Sequence, residues 1–287
     1  MTKINELLKE SRTVSFEFFP PKSDAEAAVL GETIRDLESL HPSFVSVTYR
    51  GGAESRQRTY DLVTMMRRDT SLNPMAHLIC VAHSRGELTE ILEQYRDASI
   101  DNLMALGGDP PTEPDAKVGE LQYALELVEL ARSVGDFSIG VAAHPAGHPR
   151  SETLNSDRDR LARKLEAADF GVTQFFFSIE EYRSLVNDIA DRGVTKPILP
   201  GIMPVTSLSS VPRMATMGAP VPAWAIERLE SAESTGGADA VREEGIALAT
   251  ELCAALLEEG APGLHFYTLN RSKATREIAL ALGLNQK

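Results

Sequence analysis

Val14-Ser-Phe-Glu-Phe-Phe-Pro-Pro21 is a short apolar run stopped by two prolines, and after a helical stretch it is answered by Phe44-Val-Ser-Val-Thr-Tyr49. Strand, helix, strand is the unit that recurs along the rest of the chain. Further β-rich runs are Met75–Val81, Asn102–Leu106, Phe137–Ala143, Val172–Phe177, Pro197–Ile202 and Gly263–Thr268, which with Val14–Phe19 and Phe44–Tyr49 makes eight strands. Helical periodicity fills the gaps at Asp24–Leu40, Arg56–Arg68, Ser84–Ala98, Gly119–Ser133, Asp157–Ala168, Ile179–Arg192, within Leu208–Glu259, and at Arg271–Leu282. Start signals support several of these: Ser23-Asp24 opens the first, Ser84 caps the third, and Ser178-Ile-Glu-Glu181 has the form of a capping box.

Eight alternating βα units predict an α/β fold, a TIM (βα)8 barrel spanning residues 1–287 as one domain. A doubly wound open sheet is the alternative, though no Gly-x-Gly-x-x-Gly follows the first strand. The stretch from Gly201 to Leu264 is too long for one helix, being broken by Pro204, Pro212, Pro220, Pro222 and Gly236-Gly237, and predicts extra short helices after strand seven. Gly107–Asp115 has the composition of a surface loop.

Composition narrows the function classes. The 287 residues are 43% hydrophobic and 25% charged, with no apolar run long enough to cross a bilayer. Met1 to Arg12 has no apolar core or cleavage site of a secretory signal, so the expected location is the cytoplasm. A net charge of −13 and no Lys/Arg stripe argue against nucleic acid. Cys80 and Cys253 stand alone, outside any CxxC or zinc-ligand spacing.

In a barrel of this kind chemistry collects at the carboxyl ends of the strands. Strand one brings Glu17, on the face of Ser15 and Phe19 and opposite Val14, Phe16 and Phe18. A carboxylate taken from water without a partner costs several kcal/mol, which makes Glu17 a candidate proton donor, a salt-bridged structural Glu being the alternative. Thr48 ends strand two, and His77 sits on strand three, where a hydrogen-bonded core histidine is the commoner outcome. Strand four ends Ala105-Leu-Gly-Gly-Asp109, which presents Asp109 after two glycines that let a ligand approach the backbone, or forms a simple turn. Strand five runs into His144-Pro-Ala-Gly-His148-Pro149, two histidines without a third metal ligand nearby. Gln174 stands among phenylalanines in Thr173–Phe177, and strand eight ends in Tyr267, Asn270 and Arg271. Arg271 is placed to pin a carboxylate bidentately or to begin the last helix. An acid, an Asp, a Gln and an Arg at one mouth suit a heteroaromatic, anionic small molecule.

The runs SFEFFPP, FVSVTY, ALxGD, TQFFF, PGIMPV and HFYTLNR, in this order, resemble the 5,10-methylenetetrahydrofolate reductase family in its bacterial catalytic-domain form, from about Val14 to Leu282. The resemblance implies reduction of 5,10-methylenetetrahydrofolate to 5-methyltetrahydrofolate by NADH or NADPH in one-carbon and methionine metabolism, usually with FAD as relay. It implies Glu17 as general acid, Asp109 as the aspartate that holds the pterin and stabilises the cation, Gln174 at the folate or nicotinamide, and Arg271 on the folate. Ser210 and Met214 replace a Gln and a Phe found near the folate and nicotinamide in some members, which puts Ser210 with Tyr267 among the substrate-binding candidates. The implied flavin positions are Thr48, Tyr49, His77, Leu106, Gly108, Tyr123, Ala124, His144, His148, Asp157, Arg163 and Lys164. Three of the family's flavin positions differ: Gly107 replaces an arginine, His144 a tyrosine, and Arg160 an asparagine. A direct guanidinium contact is worth about 1.5–3 kcal/mol, so the expectation is weak FAD binding or none, with hydride passing straight from NADH. A non-catalytic folate-binding barrel, or another flavin barrel such as a proline dehydrogenase-like oxidoreductase, are the competing readings. Choice of nicotinamide cofactor, oligomeric state, reaction direction and polyglutamate tail length have no readable motif.

Overall fold

The computed structural model describes residues 2–49, 53–109 and 119–284. The loop expected at Gly107–Asp115 therefore lies outside the described residues from position 110 onward. Eight parallel strands close into a barrel in sequence order: β1 Thr13–Phe18, β2 Phe44–Val47, β3 Pro74–Ile79, β4 Asn102–Leu106, β5 Ser138–Ala143, β6 Phe170–Phe175, β7 Ile198–Ile202 and β8 Gly263–Tyr267. Closure is made by β1 against β8, in the register Ser15↔His265 and Glu17↔Tyr267. All eight expected strands are present, their ends shifted by up to two residues, as fraying of ladder bonds allows.

The crossover helices are α2 Asp24–Glu38, α3 Ala53–Asp69, α4 Arg85–Asp97, α5 Ala124–Val134, α6 Leu154–Ala167, α7 Ile179–Ala190 and α10 Lys273–Ala281. Ser23, Ser84, Thr153 and Ser178 accept backbone N–H groups at the starts of α2, α4, α6 and α7 and so satisfy donors the first turn leaves unpaired. The expected extra helices after β7 are there: a 3₁₀ turn Leu208–Ser210, α8 Val211–Thr216 and the long α9 Ala223–Glu258. Gly237, at φ 66° and ψ −152°, breaks α9 into two, as the Gly236-Gly237 pair predicts. None of the helices among the described residues is long and apolar enough to cross a membrane.

One element has no counterpart in the sequence reading. α1 Ile4–Glu10 closes the barrel floor, where Ile4 packs with Phe44, Met75, Met104, Phe170, Val172 and Leu199. Its backbone is tied to strand side chains, Ile4 N donating to Asn102 Oδ1 at 2.9 Å and Asn5 N to Ser138 Oγ at 3.0 Å. Outward strand residues such as Phe16, Phe18, Val45 and Val47 meet the helix shell, the larger core. A third apolar cluster, including Met203, Val205, Met214, Leu229 and Val241, fixes α8 and α9 over the β7 end. There Gly245 is required by close approach, since a Cβ would lie 1.8 Å from the Val205 carbonyl oxygen.

Candidate active site

Glu17 points inward from β1, 6% exposed, because strand alternation turns Phe16 and Phe18 to the helices. Its Oε2 lies 3.5 Å from Ser46 Oγ, 3.5 Å from His77 Nε2 and 3.8 Å from His265 Nε2. No Lys or Arg is within ion-pair distance of it among the described residues, and its ion-pair partners there are the two imidazoles, when protonated. Beneath it, Ser15 Oγ donates to the Leu264 carbonyl at 3.2 Å and sits 2.8 Å from His265 Nδ1. His265 thus bridges Ser15 through Nδ1 and faces Ser46 and Glu17 through Nε2. Burial pushes the His77 imidazole below its ordinary value, helped by His265 and opposed by Glu17. Glu17 thus contacts one hydroxyl and two imidazoles instead of a fixed cation.

Above this nest a cavity of about 290 Å³ opens at the carboxyl ends of the strands, with Thr48, Tyr49, Leu106, His144, Gln174 and Tyr267 in its walls. Thr48 is 7% exposed and its Oγ1 has no hydrogen-bond partner among the described residues. Gln174 reaches the cavity on the same face of β6 as Val172, beside an irregularity in the β6–β7 register between Val172 and Phe175. Its Nε2 donates to the Met217 carbonyl at 3.0 Å while its Oε1 accepts Phe175 N at 3.0 Å. Tyr267 donates to the Thr173 carbonyl at 2.6 Å, packed over Gly201, where a Cβ would come within 2.5 Å of its ring. Burial raises that phenol well above its usual range.

A larger groove, about 1330 Å³, continues outward and shares Phe19, Thr48, Tyr267 and Leu269 with the cavity. Ser210 and Arg271 line this groove; Ser210 Oγ donates to Ser207 O at 2.6 Å. Arg271 does not begin a helix, since α10 starts at Lys273 after left-handed Leu269 and Asn270. Asn270 instead clamps β1 to β8, accepting Phe19 N at 2.8 Å and donating to Phe19 O at 2.9 Å. Met214 is 3% exposed in the apolar cluster under α8. Asp109 is exposed on the rim and is not in either lining; it lies close enough to His148 to act on that imidazole.

The other expected cofactor positions form a second cluster on the β5–β6 side. Asp157 Oδ1 accepts His148 N at 3.1 Å and Ser151 Oγ at 3.0 Å, and its Oδ2 accepts Arg158 Nη1 at 3.2 Å. Arg158, 1% exposed, also donates to the carbonyls of His144 and Pro145 at 2.9 and 2.6 Å and to Asp188 at 3.2 Å. Lys164 donates to Ala142 O at 2.7 Å, and burial brings its ammonium down to about 8. His144, edge-on to His148 at 4.6 Å, is pushed down to about 4, mainly by burial. Arg160 and Arg163 are exposed, Tyr123 is 66% exposed, and Tyr49 is 2.6 Å from His83 Nε2 through its hydroxyl. Ala124 is buried at the start of α5, and Gly108, at φ 83°, gives its carbonyl to Arg150 Nη2 at 3.1 Å. At Gly107 a Cβ would meet only backbone atoms at 3.7 and 3.9 Å, so packing does not demand glycine there. Among the described residues no three His, Cys, Asp or Glu side chains converge as a metal site.

His265 and Ser15 were not among the sequence-derived candidates. Their signal was the same alternation that turned Glu17 inward, read on β8 and β1 together, and it becomes visible once the closing register is known.

Residues 2–283 match the family described as methylenetetrahydrofolate reductase. The 5,10-methylenetetrahydrofolate reductase of Pectobacterium carotovorum subsp. carotovorum is 36% identical over 276 residues, covering 94% of this chain and 90% of that protein. The Escherichia coli (strain K12) enzyme of the same name is 35% identical over 273 residues, with the same coverage. The Arabidopsis thaliana protein named methylenetetrahydrofolate reductase (NADH) 1 is 35% identical across 98% of this chain, which spans 50% of that longer protein. Among solved structures, a Clostridium thermocellum protein that binds two copies of 5-methyl-5,6,7,8-tetrahydrofolic acid superposes with a TM-score of 0.68 at 15% identity, covering 98% of each chain, a likeness of fold.

Proposed function

The chain belongs to the methylenetetrahydrofolate reductase family, and on that premise we propose that it reduces 5,10-methylenetetrahydrofolate to 5-methyltetrahydrofolate with a hydride taken directly from NADH. The observation that carries this reading is Glu17, a nearly buried carboxyl under the mouth cavity with two imidazoles and no Lys or Arg beside it among the described residues. Opening the five-membered ring breaks a carbon–nitrogen bond, and the departing nitrogen takes a proton from Glu17. The exocyclic methylene, left as an iminium cation, accepts hydride and becomes the methyl group, NADH becomes NAD⁺, and Glu17 recovers a proton from solvent. Gln174, steadied by Met217 and its own backbone, and Thr48, with an unspent hydroxyl, are the groups offered to the flat rings in the cavity. Arg271 in the adjoining groove takes a carboxylate of the substrate.

The FAD implied by the family is not part of this scheme, and four observations support leaving it out. Gly107 supplies no guanidinium, and a Cβ there would make only ordinary contacts with the described residues. His144, held down to about 4, is neutral at physiological pH. Asp157 and Lys164 are bonded within the chain, and Tyr123 and Arg163 stand in solvent. At these flavin positions the pyrophosphate of FAD has few free charged groups to hold it.

Protein purified without added flavin is expected to show no flavin absorption and to oxidise NADH only when methylenetetrahydrofolate is present, at a rate that added FAD leaves unchanged. Stoichiometric FAD with a reduction step fast enough for turnover would overturn the direct route. Tight folate binding without NADH oxidation under any flavin condition would select a non-catalytic barrel instead.

A further inference from the structure

The turn from β8 into α10 puts leucine where the backbone favours glycine. Leu269 and Asn270 stand at φ 51° and 57°, in the left-handed region. Asparagine enters that region readily, whereas leucine is strained in it, its Cβ crowding the following carbonyl oxygen. Side chains hold the turn on both sides of the leucine. Asn270 Oδ1 accepts Phe19 N at 2.8 Å, its Nδ2 donates to Phe19 O at 2.9 Å, and its carbonyl accepts Thr33 Oγ1 at 3.0 Å. Thr268 Oγ1 donates to Glu17 O at 2.6 Å and accepts Asn270 N at 3.2 Å. Leu269 is thus fixed relative to the backbone of Glu17 and Phe19, the part of β1 that carries the acid. Core packing does not explain its conformation, since it is 37% exposed and belongs to none of the three apolar clusters among the described residues. It lines both the inner cavity and the outer groove, at their junction. The other non-glycine residues at positive φ among the described residues, His41, Ala82, Ser99 and Asn270, do not line the inner cavity. Strain concentrated on one residue of a cavity wall, and held there by its neighbours, points to a use in the site.

We propose that Leu269 is a positioning residue for hydride transfer, an apolar stop at the neck of the cavity that keeps the two reacting rings stacked over Glu17. The proposal rests on the direct-transfer reading above, in which nicotinamide and the pterin iminium lie face to face with no flavin between them. Glu17 and its imidazoles fix one end of the cavity, and Leu269, beside Phe19, stands at the other, where the groove begins. A branched apolar side chain at that neck limits the sideways slip of a flat ring without giving it a hydrogen bond to hold it elsewhere. Alignment matters here, since a misplacement of about 1 Å between reacting atoms can cost on the order of a hundredfold in rate. A stop works only if its backbone does not yield, which accounts for the bonds that bracket a strained residue.

The test uses Leu269→Ala and Leu269→Gly, which both remove the stop but differ in backbone strain, and Leu269→Met, which keeps the apolar volume. The alanine and glycine variants are each expected to lower kcat per folded molecule about tenfold in methylenetetrahydrofolate-dependent NADH oxidation, with KM for either substrate within about threefold of the parent's. The methionine variant should keep kcat within about twofold. In urea unfolding Leu269→Gly should show a higher midpoint than Leu269→Ala, the reverse of their order at an ordinary position, because glycine is unstrained at positive φ. An alanine variant with the parent's kcat, a loss confined to KM, or a methionine variant as slow as the alanine one would each overturn the proposal. A glycine variant less stable than the alanine one would remove the strain from which it was inferred, and so overturn it as well. Absence of NADH oxidation by the unmodified protein without FAD would instead overturn the direct-transfer reading, and the stop with it.

Discussion

On the wall made by β8, β1, β2 and β3, Glu17 lies 3.5–3.8 Å from a serine and two imidazoles, whereas on the β5–β6 wall Asp157 is gripped by three donors at 3.0–3.2 Å. Both carboxylates are buried, at 6% and 7% exposure, so burial alone does not separate them. What separates them is whether the neighbours commit a charge. Arg158 fixes Asp157 and with it the His144–His148 loop, a structural use of ionisation. Glu17 has partners that can exchange protons with it, which is what a general acid requires.

The contrast can be broken from either side. Glu17→Gln is expected to lower kcat for folate-dependent NADH oxidation by about 10²–10⁴-fold, with far-UV circular dichroism unchanged. A variant within tenfold of the parent would remove Glu17 as proton donor. Arg158→Met should act on the other quantity, costing about 3–5 kcal/mol in urea unfolding because Asp157 and two carbonyls lose their donor in a buried place. Turnover per folded molecule should stay near the parent's; a stable variant with a selective loss of kcat would mean that this wall takes part in chemistry. Arg271→Ala is expected to raise KM for the folate by about 10–100-fold with little change in kcat, as loss of a charged hydrogen bond made equally in ground and transition states predicts.

The smallest effect is on pH. His144 is held down to about 4 in the folded protein, below the ordinary histidine value of about 6.5. Between those two pH values the unfolded chain binds a proton that the folded chain refuses, so its contribution is intact above about 6.5 and is lost as pH falls toward 4. Buried His77 adds to this with the same sign. Urea midpoints taken from pH 7 to pH 4.5 should fall, and His144→Gln should recover part of the fall, of order 1–2 kcal/mol allowing for solvent screening. An unchanged slope in that variant would mean that His144 is not the group responsible.

Strand order and number were legible in the sequence because inward and outward faces of a barrel strand leave short β-rich runs between prolines, glycines and amphipathic helices. Glu17 and Gln174 stood out for the same reason, each a polar residue in an apolar strand. α1 was missed because seven residues carry too little periodicity, and its anchors, Asn102 and Ser138, are about a hundred residues away or more. α5 was expected from Gly119 but begins at Ala124, where Glu126 accepts the backbone N–H groups of Gln122 and Tyr123; that glutamate was the overlooked start signal. Asp109 was expected at the rim after two glycines, and it is exposed there beside the left-handed Gly108, outside the lining of the cavity. Ser15 and His265 belong to the Glu17 nest only through a register joining residues 250 apart, which no local pattern encodes.

The floor helix also bears on the order in which this molecule is made. Asn5 finds its partner on Ser138, 133 residues later, which at a synthesis rate of about 5–20 residues per second is a delay of roughly 7–27 s. α1 thus leaves the ribosome long before there is a surface for it, but it can dock once β4 and β5 have formed, while β8 is still unmade. The half-built barrel would then have its base sealed before its staves meet, so the last strand closes onto a sheet whose lower rim is already held in place.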